Sequence, residues 1–180
     1  MSKRACLFCG ANTGASATIV EETQALCDLL IAHDYDLVYG GGRDGLMGVI
    51  AEQFLKADRQ VIGVRPLKLI KEEPPHEAIS TLIAVEDMFE RKQRMMELSD
   101  VFIALPGGIG TLDEIIEAYT HFKLGYTHKF CGILNTGNFY GGLNDLLNHM
   151  VEKAFLKQED KEKLVFSSTP RDLMAAILAF

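Results

Sequence analysis

Short apolar runs alternate along this chain with stretches whose apolar positions recur at helical spacing. Ala5 to Cys9 (ACLFC) is continuous and apolar and predicts a strand. Glu21 to Ala32 predicts a helix, because Ala25, Leu26, Leu29 and Leu30 fall on one face. The alternation then continues. YDLVYGGG is a strand ending in glycine, Leu46 to Lys56 a helix, RQVIGV and STLIAVED strands, and Met88 to Leu98 a helix. DVFIALPGG is a strand, Thr111 to Leu124 a helix, KFCGILN a strand and Leu143 to Phe155 a helix. A charged link, Lys157 to Lys163, leads to the strand KLVFSS and a last helix, with Thr169 as N-cap and Pro170 at the first helical position. The insertion Lys68 to His76 (KLIKEEPPH) is charged, contains Pro74-Pro75 and reads as a mobile flap. Strands that are apolar on both faces, each followed by a helix, predict an α/β protein: a parallel sheet covered on both sides, three layers in all.

The 180 residues fit one domain, 1–180, with room for a substantial core. With 25 acidic and 18 basic residues the net charge is -7, which argues against a general nucleic-acid binder but leaves room for a local positive pocket. No apolar run reaches the ~18 residues a membrane span needs. Met1 to Gly10 reads as a strand rather than a signal peptide, so the expected location is cytoplasmic. Cys6 and Cys9 form a C-x-x-C, but their odd spacing on a strand sends the side chains to opposite faces. Together with Cys27 and Cys131 they read as small buried side chains in a reduced compartment. The five histidines show no ligand spacing, and no metal site is expected.

Three glycine-rich segments, CGANTG, GGGRDGLMG and PGGIGT, all fall at strand ends. In open parallel sheets that is where ligands sit, so the three suggest one shared site. Gly40-x-Gly42-x-x-Gly45 has the form of a dinucleotide fingerprint. It follows the second strand rather than the first, however, and the next strand ends in Arg65 instead of an acid. PGGIGT differs, because it opens a helix. Helix-start amides attract anions, and Gly107, Gly108 and Gly110 would let the backbone approach a phosphate, with Thr111 adding a hydroxyl. No lysine follows the glycines, which disfavours a nucleoside triphosphatase. Thr111-Leu-Asp-Glu114 equally matches a capping box, a purely structural helix start. Under either reading Leu112, Ile115, Ile116 and Tyr119 form the buried stripe, and Glu114 lies near the helix start. In MFERKQRMMELSD, Arg94 reads as solvated. Arg91 shares a helical face with Met88, Met95 and Leu98, and if buried needs an anionic partner, either a structural carboxylate or a ligand.

FCGANTG, YGGGRDGLMG, MFERK, PGGIGTLDE and LGYTHKFCGILNTGNFYGGL, in this order, resemble the LONELY GUY (LOG) family of nucleotide phosphoribohydrolases, whose members are often labelled lysine decarboxylases. The pattern P-G-G-x-G-T-x-x-E is met in full by residues 106 to 114. The resemblance implies a Rossmann-like, doubly wound fold and hydrolysis of the N-glycosidic bond of purine nucleoside 5′-monophosphates, cytokinin-type or adenosine. It implies Arg91 and Glu114 as the catalytic pair. The substrate-binding set it implies is Glu73, Lys92, the loop and first turn Gly107, Gly108, Ile109, Gly110, Thr111, Leu112 and Asp113, and Thr120. It further implies at least a homodimer, with sites near the subunit contacts, and neither nucleic acid nor membrane as partner. Ala11 and Asn12 replace a common Ser-Ser, Phe89 a common histidine and His121 a common tryptophan, which leaves the preferred base open. The chemistry needs no cofactor. The alternative is a carrier protein that seats a nucleotide or phosphorylated cofactor without reacting; it would not need both Arg91 and Glu114. Decarboxylation with pyridoxal phosphate would need a Schiff-base lysine, and no recognisable pocket for one is present.

Overall fold

A computed structural model describes residues 2–72 and 74–180 of the chain. Seven strands, β1 (Lys3–Phe8), β2 (Tyr35–Tyr39), β3 (Val61–Pro66), β4 (Thr81–Val85), β5 (Val101–Ala104), β6 (Phe130–Leu134) and β7 (Leu164–Ser167), form one sheet. Its order is β4-β3-β2-β1-β5-β6-β7, and every pairing is parallel. The helices are α1 (Ala17–Ala32), α2 (Gly45–Lys56), α3 (Leu67–Glu72), α4 (Met88–Leu98), α5 (Ile109–Lys123), α6 (Gly141–Glu152), α7 (Gln158–Lys161) and α8 (Pro170–Ala179), with a 3₁₀ turn at Thr136–Asn138.

Apolar side chains leave both faces of the sheet, so two cores form. On one face Leu26 and Leu30 of α1, Ile50 and Phe54 of α2, and Leu173 and Ile177 of α8 pack over Leu7, Leu37 and Ile103. On the other, Met95 of α4, Ile115, Ala118 and Tyr119 of α5, and Leu147 of α6 pack over Phe8, Val38 and Ile133. This is the expected three-layer, Rossmann-like sandwich. Cys6 joins the second core while Cys9 packs against the first, as the odd spacing requires.

Several expected boundaries shift. The first helix begins at Ala17, four residues early, because Thr18, Ile19 and Val20 are β-branched and mask a helix start in the pattern. Part of the charged link folds as the short α7. At the last helix, Thr169 accepts a hydrogen bond from Asp172 N at 3.1 Å and Pro170 stands in the first turn, both as expected. The expected flap contains regular structure. Its first part is the helix α3, and the chain then returns to the glycine loop after β2. There Pro75 bridges Gly42, and His76 N donates to Gly41 O at 3.3 Å. Pro75 and His76, at the end of this segment, thus meet the glycine loop after β2.

The chain starts with β1, works outward to β4, crosses back over the sheet through α4 and resumes with β5 on the far side of β1. The order therefore reverses between β1 and β5, and the loops leaving those two strands part there and open a crevice. Gly10 N donates to Pro106 O at 3.2 Å across its floor. Gly45 closes one side. Its φ is +61°, and a Cβ there would stand 2.2 Å from the carbonyl carbon of Ala11. We expect Gly45→Ala to lower stability by about 2–4 kcal/mol, from backbone strain plus overpacking. An unchanged urea midpoint would contradict this close approach.

Candidate active site

The crevice holds a cavity of about 540 Å³, lined by the loops that leave β1 (Cys9 to Gly14) and β5 (Pro106 to Gly108, then Gly110 and Thr111), by Met47 of α2, Arg65 of β3 and Leu69 of α3, and by Met88 and Arg91 of α4 and Glu114 of α5. Its polar groups come from four different elements.

The start of α5 forms one end. Gly108 is the N-cap and supplies no side-chain acceptor, and no acid stands in the first turn. Leu112 N donates to Gly108 O at 3.1 Å, so the amides of Ile109, Gly110 and Thr111 precede the first intrahelical bond. The glycines divide by role. A Cβ at Gly107 would press on the Thr111 hydroxyl at 2.2 Å and on Gly10 N at 2.9 Å, so packing requires this glycine. A Cβ at Gly108 or Gly110 would meet nothing within 4 Å. Those two leave open space beside a positive helix end, a setting suited to an anion. The capping box is a correction: the helix begins two residues before Thr111, which is buried inside the first turn, while Glu114 faces α4.

Glu114 is 7% exposed, and its Oε1 lies 3.2 Å from Arg91 Nη2. Burial pushes the Glu114 carboxyl above the usual range, and the Arg91 charge opposes that rise. The largely buried guanidinium of α4 therefore has a structural carboxylate as partner, one of the two possibilities its apolar face left open. Arg91 Nε has no hydrogen-bond partner among the described residues, so the pair keeps capacity for another group. Gly40 admits the guanidinium: a Cβ there would stand 2.2 Å from Arg91 Nη2. This accounts for the first glycine of GGGRDG through packing. Gly45 serves the crevice wall, so the fingerprint-like pattern has a structural explanation.

Beside this pair, Lys92 Nζ donates to Asp113 Oδ2 at 2.9 Å and pairs with Glu117. Burial works against the Lys92 charge, but the hydrogen bonds it donates to Glu117 and Asp113 outweigh it and hold its pKa above the usual value. α4 and α5 are thus clamped twice, once inside the cavity and once on its flank.

The matched family, described as "Possible lysine decarboxylase", covers residues 47–177. A probable cytokinin riboside 5′-monophosphate phosphoribohydrolase of Oryza sativa subsp. japonica is 40% identical over 172 residues, which is 96% of this chain and 82% of that protein. A cytokinin riboside 5′-monophosphate phosphoribohydrolase of Arabidopsis thaliana is 37% identical over 96% of this chain and 80% of its own length. The chain belongs to the LONELY GUY family. Among solved structures, a molybdenum cofactor binding protein from Rippkaea orientalis superposes with a TM-score of 0.73 at 22% identity, covering 99% of this chain and 97% of that one. A molybdenum cofactor carrier protein from Chlamydomonas reinhardtii gives 0.74 at 16% identity, with 99% and 97% covered. At these identities the likeness is one of fold alone.

Of the residues this LOG-family chain offered by sequence, Arg91, Glu114, Gly107, Gly108, Gly110 and Thr111 meet at the cavity. Ile109 and Leu112 line a neighbouring hollow of about 320 Å³ with Phe139 and Leu143. Lys92 and Asp113 bind each other on the flank. Thr120 is exposed, roughly 13 Å along α5 from Thr111 at helical rise, and donates its hydroxyl to Ile116 O at 2.7 Å. Glu73 lies outside the described residues. Sequence reasoning overlooked Met47, Leu69, Phe139 and, as a cavity residue, Arg65. Each follows or ends a strand, but only the strand order shows which strand ends face one crevice.

Arg91→Met would leave a buried carboxylate unpaired. The expected cost is roughly 3–5 kcal/mol at neutral pH. The loss should shrink as pH falls through the raised pKa of Glu114 and the carboxyl becomes neutral. Adding Glu114→Gln should restore most of it. Urea unfolding at two pH values would check this, and a pH-independent loss would contradict it.

Proposed function

We propose that the protein hydrolyses the N-glycosidic bond of purine nucleoside 5′-monophosphates, cytokinin-type or adenosine, releasing the free base and ribose 5-phosphate. The observation that carries this reading is the buried Glu114–Arg91 pair opening onto the same cavity as an α5 start that no acid of its own first turn occupies. The names and identity of the relatives support the choice of reaction.

In this reading the phosphate binds the amides of Gly108 to Thr111 and anchors the ribose through a group that does not react. Cleavage builds positive charge on the sugar. Glu114, one helical turn beyond the phosphate seat, stabilises that charge and orients or deprotonates the attacking water. Arg91 holds Glu114 in place and, through its unpaired Nε, reaches substrate. Lys92 holds Asp113 on the flank, and the two steady the α4–α5 contact beside the substrate. Glu73 and Thr120 are assigned to substrate contact by resemblance alone. The reading includes at least a homodimer, on resemblance to the family; light scattering on the purified protein would check it.

Glu114→Gln should bind AMP nearly as well as the parent and lose turnover by at least 10²-fold, within the range typical of a lost acid–base group. Free adenine released at the parental rate would remove Glu114 from the reaction. Activity should fall on acidification with a midpoint above the ordinary glutamate value, because burial raises the Glu114 pKa and the carboxylate is the active form. Nucleosides should be far poorer substrates than their monophosphates; equal rates would contradict the phosphate anchor.

A further inference from the structure

The cavity contains a second guanidinium that the mechanism above does not use. Arg65 ends β3, is 2% exposed, and lines the cavity with Met47, Leu69 and Met88. Its Nη1 donates to Gly40 O at 3.4 Å, and a Cβ at Gly42 would stand 3.3 Å from the same nitrogen. The glycine loop after β2 therefore has a cation on either side: Arg91 against Gly40, Arg65 against Gly42.

Strand order sets the sequence of groups along the cavity. The start of α5 follows β5. Arg91, paired with Glu114, lies against Gly40 at the end of β2. Arg65 is at the end of β3. Three strand spacings separate β5 from β3, about 14 Å in total at roughly 4.8 Å each. A nucleotide with its phosphate at α5 and its anomeric carbon at Glu114 extends its base toward β3. Methionine and leucine side chains there suit a flat aromatic ring, and Arg65 is the polar group beside them.

The geometry points to Arg65 as a catalytic residue on the leaving-group side, donating a hydrogen bond to N7 of the purine as it departs. This inference rests on the hydrolase reading. The bond from the anomeric carbon to N9 breaks, and its electron pair leaves with the base. The oxygen of water bonds to the anomeric carbon, and the proton that water loses, held by Glu114, ends on the base. Arg65 keeps its own protons. Its fixed charge stabilises the negative charge that develops on the ring, and in a dry site such a donor acts more strongly than it would in water. The guanidinium is donor-only, so it matches the N7 lone pair of any purine.

The test compares AMP with N7-methylated AMP, corrected for spontaneous depurination. The methylated base is already positive, leaves as a neutral molecule and has no N7 lone pair to accept a bond. For AMP, Arg65→Met should lower kcat by about 10²-fold, as loss of one preorganised donor does elsewhere, with KM changing far less. For N7-methylated AMP the same substitution should leave kcat unchanged or raise it, and Arg65→Lys should recover part of the AMP rate. Equal losses on both substrates, in Arg65→Met and in Arg65→Lys, would reduce Arg65 to a structural role and overturn the inference alone. Absence of base release from AMP and from a cytokinin-type riboside 5′-monophosphate alike, by the unsubstituted protein, would overturn the hydrolase reading as well.

Discussion

A carboxylate and a guanidinium held out of water must be supplied by separate elements that the fold cannot easily part. Glu114 comes from α5 and Arg91 from α4, and the two meet at 3.2 Å beneath the crevice. Removing either leaves a buried charge, so the pair constrains the helices as much as the helices position the pair. The flanking contacts of Lys92 with Asp113 and Glu117 add a second clamp between the same helices. The glycine loop after β2 must then stay free of side chains, because Gly40 is where the guanidinium lies.

The same constraint organises the electrostatics. The start of α5 carries no acid in its first turn and two glycines that face open space. The only carboxylate lining the cavity among the described residues is Glu114, and Arg91 balances its charge. A chain with a net charge of -7 thereby presents a locally positive pocket at the switch point of its sheet. Residues that would repel a phosphate monoester elsewhere on the surface are kept out of this crevice, and the negative group retained is the one the proposed chemistry requires.

Two segments show where sequence reasoning reached its limit. Thr111 and Glu114 fit a capping box by spacing, yet the helix starts at Ile109, because Gly108 can act as N-cap without a side chain. The three-residue spacing instead reports that Glu114 emerges one turn in and faces α4. The Lys68 to His76 insertion looked mobile from its charge and prolines. At its end Pro75 pairs with Gly42 and His76 with Gly41, and composition does not record such long-range pairing.

Much was legible before any coordinates. Period and turn chemistry determined the strands, most helix cores, the last helix cap and the opposite facing of Cys6 and Cys9, since these depend on neighbours within a few residues. The motif residues 106 to 114 also pointed to the α5 start, where several of them line the cavity. Tertiary structure alone decided that Arg91 has Glu114 as its partner, that Gly40 makes room for it, and that Arg65 and Met47 share its cavity. Those facts depend on which strand ends stand side by side, and the order β4-β3-β2-β1-β5-β6-β7 joins residues too far apart in the chain for any local pattern to register.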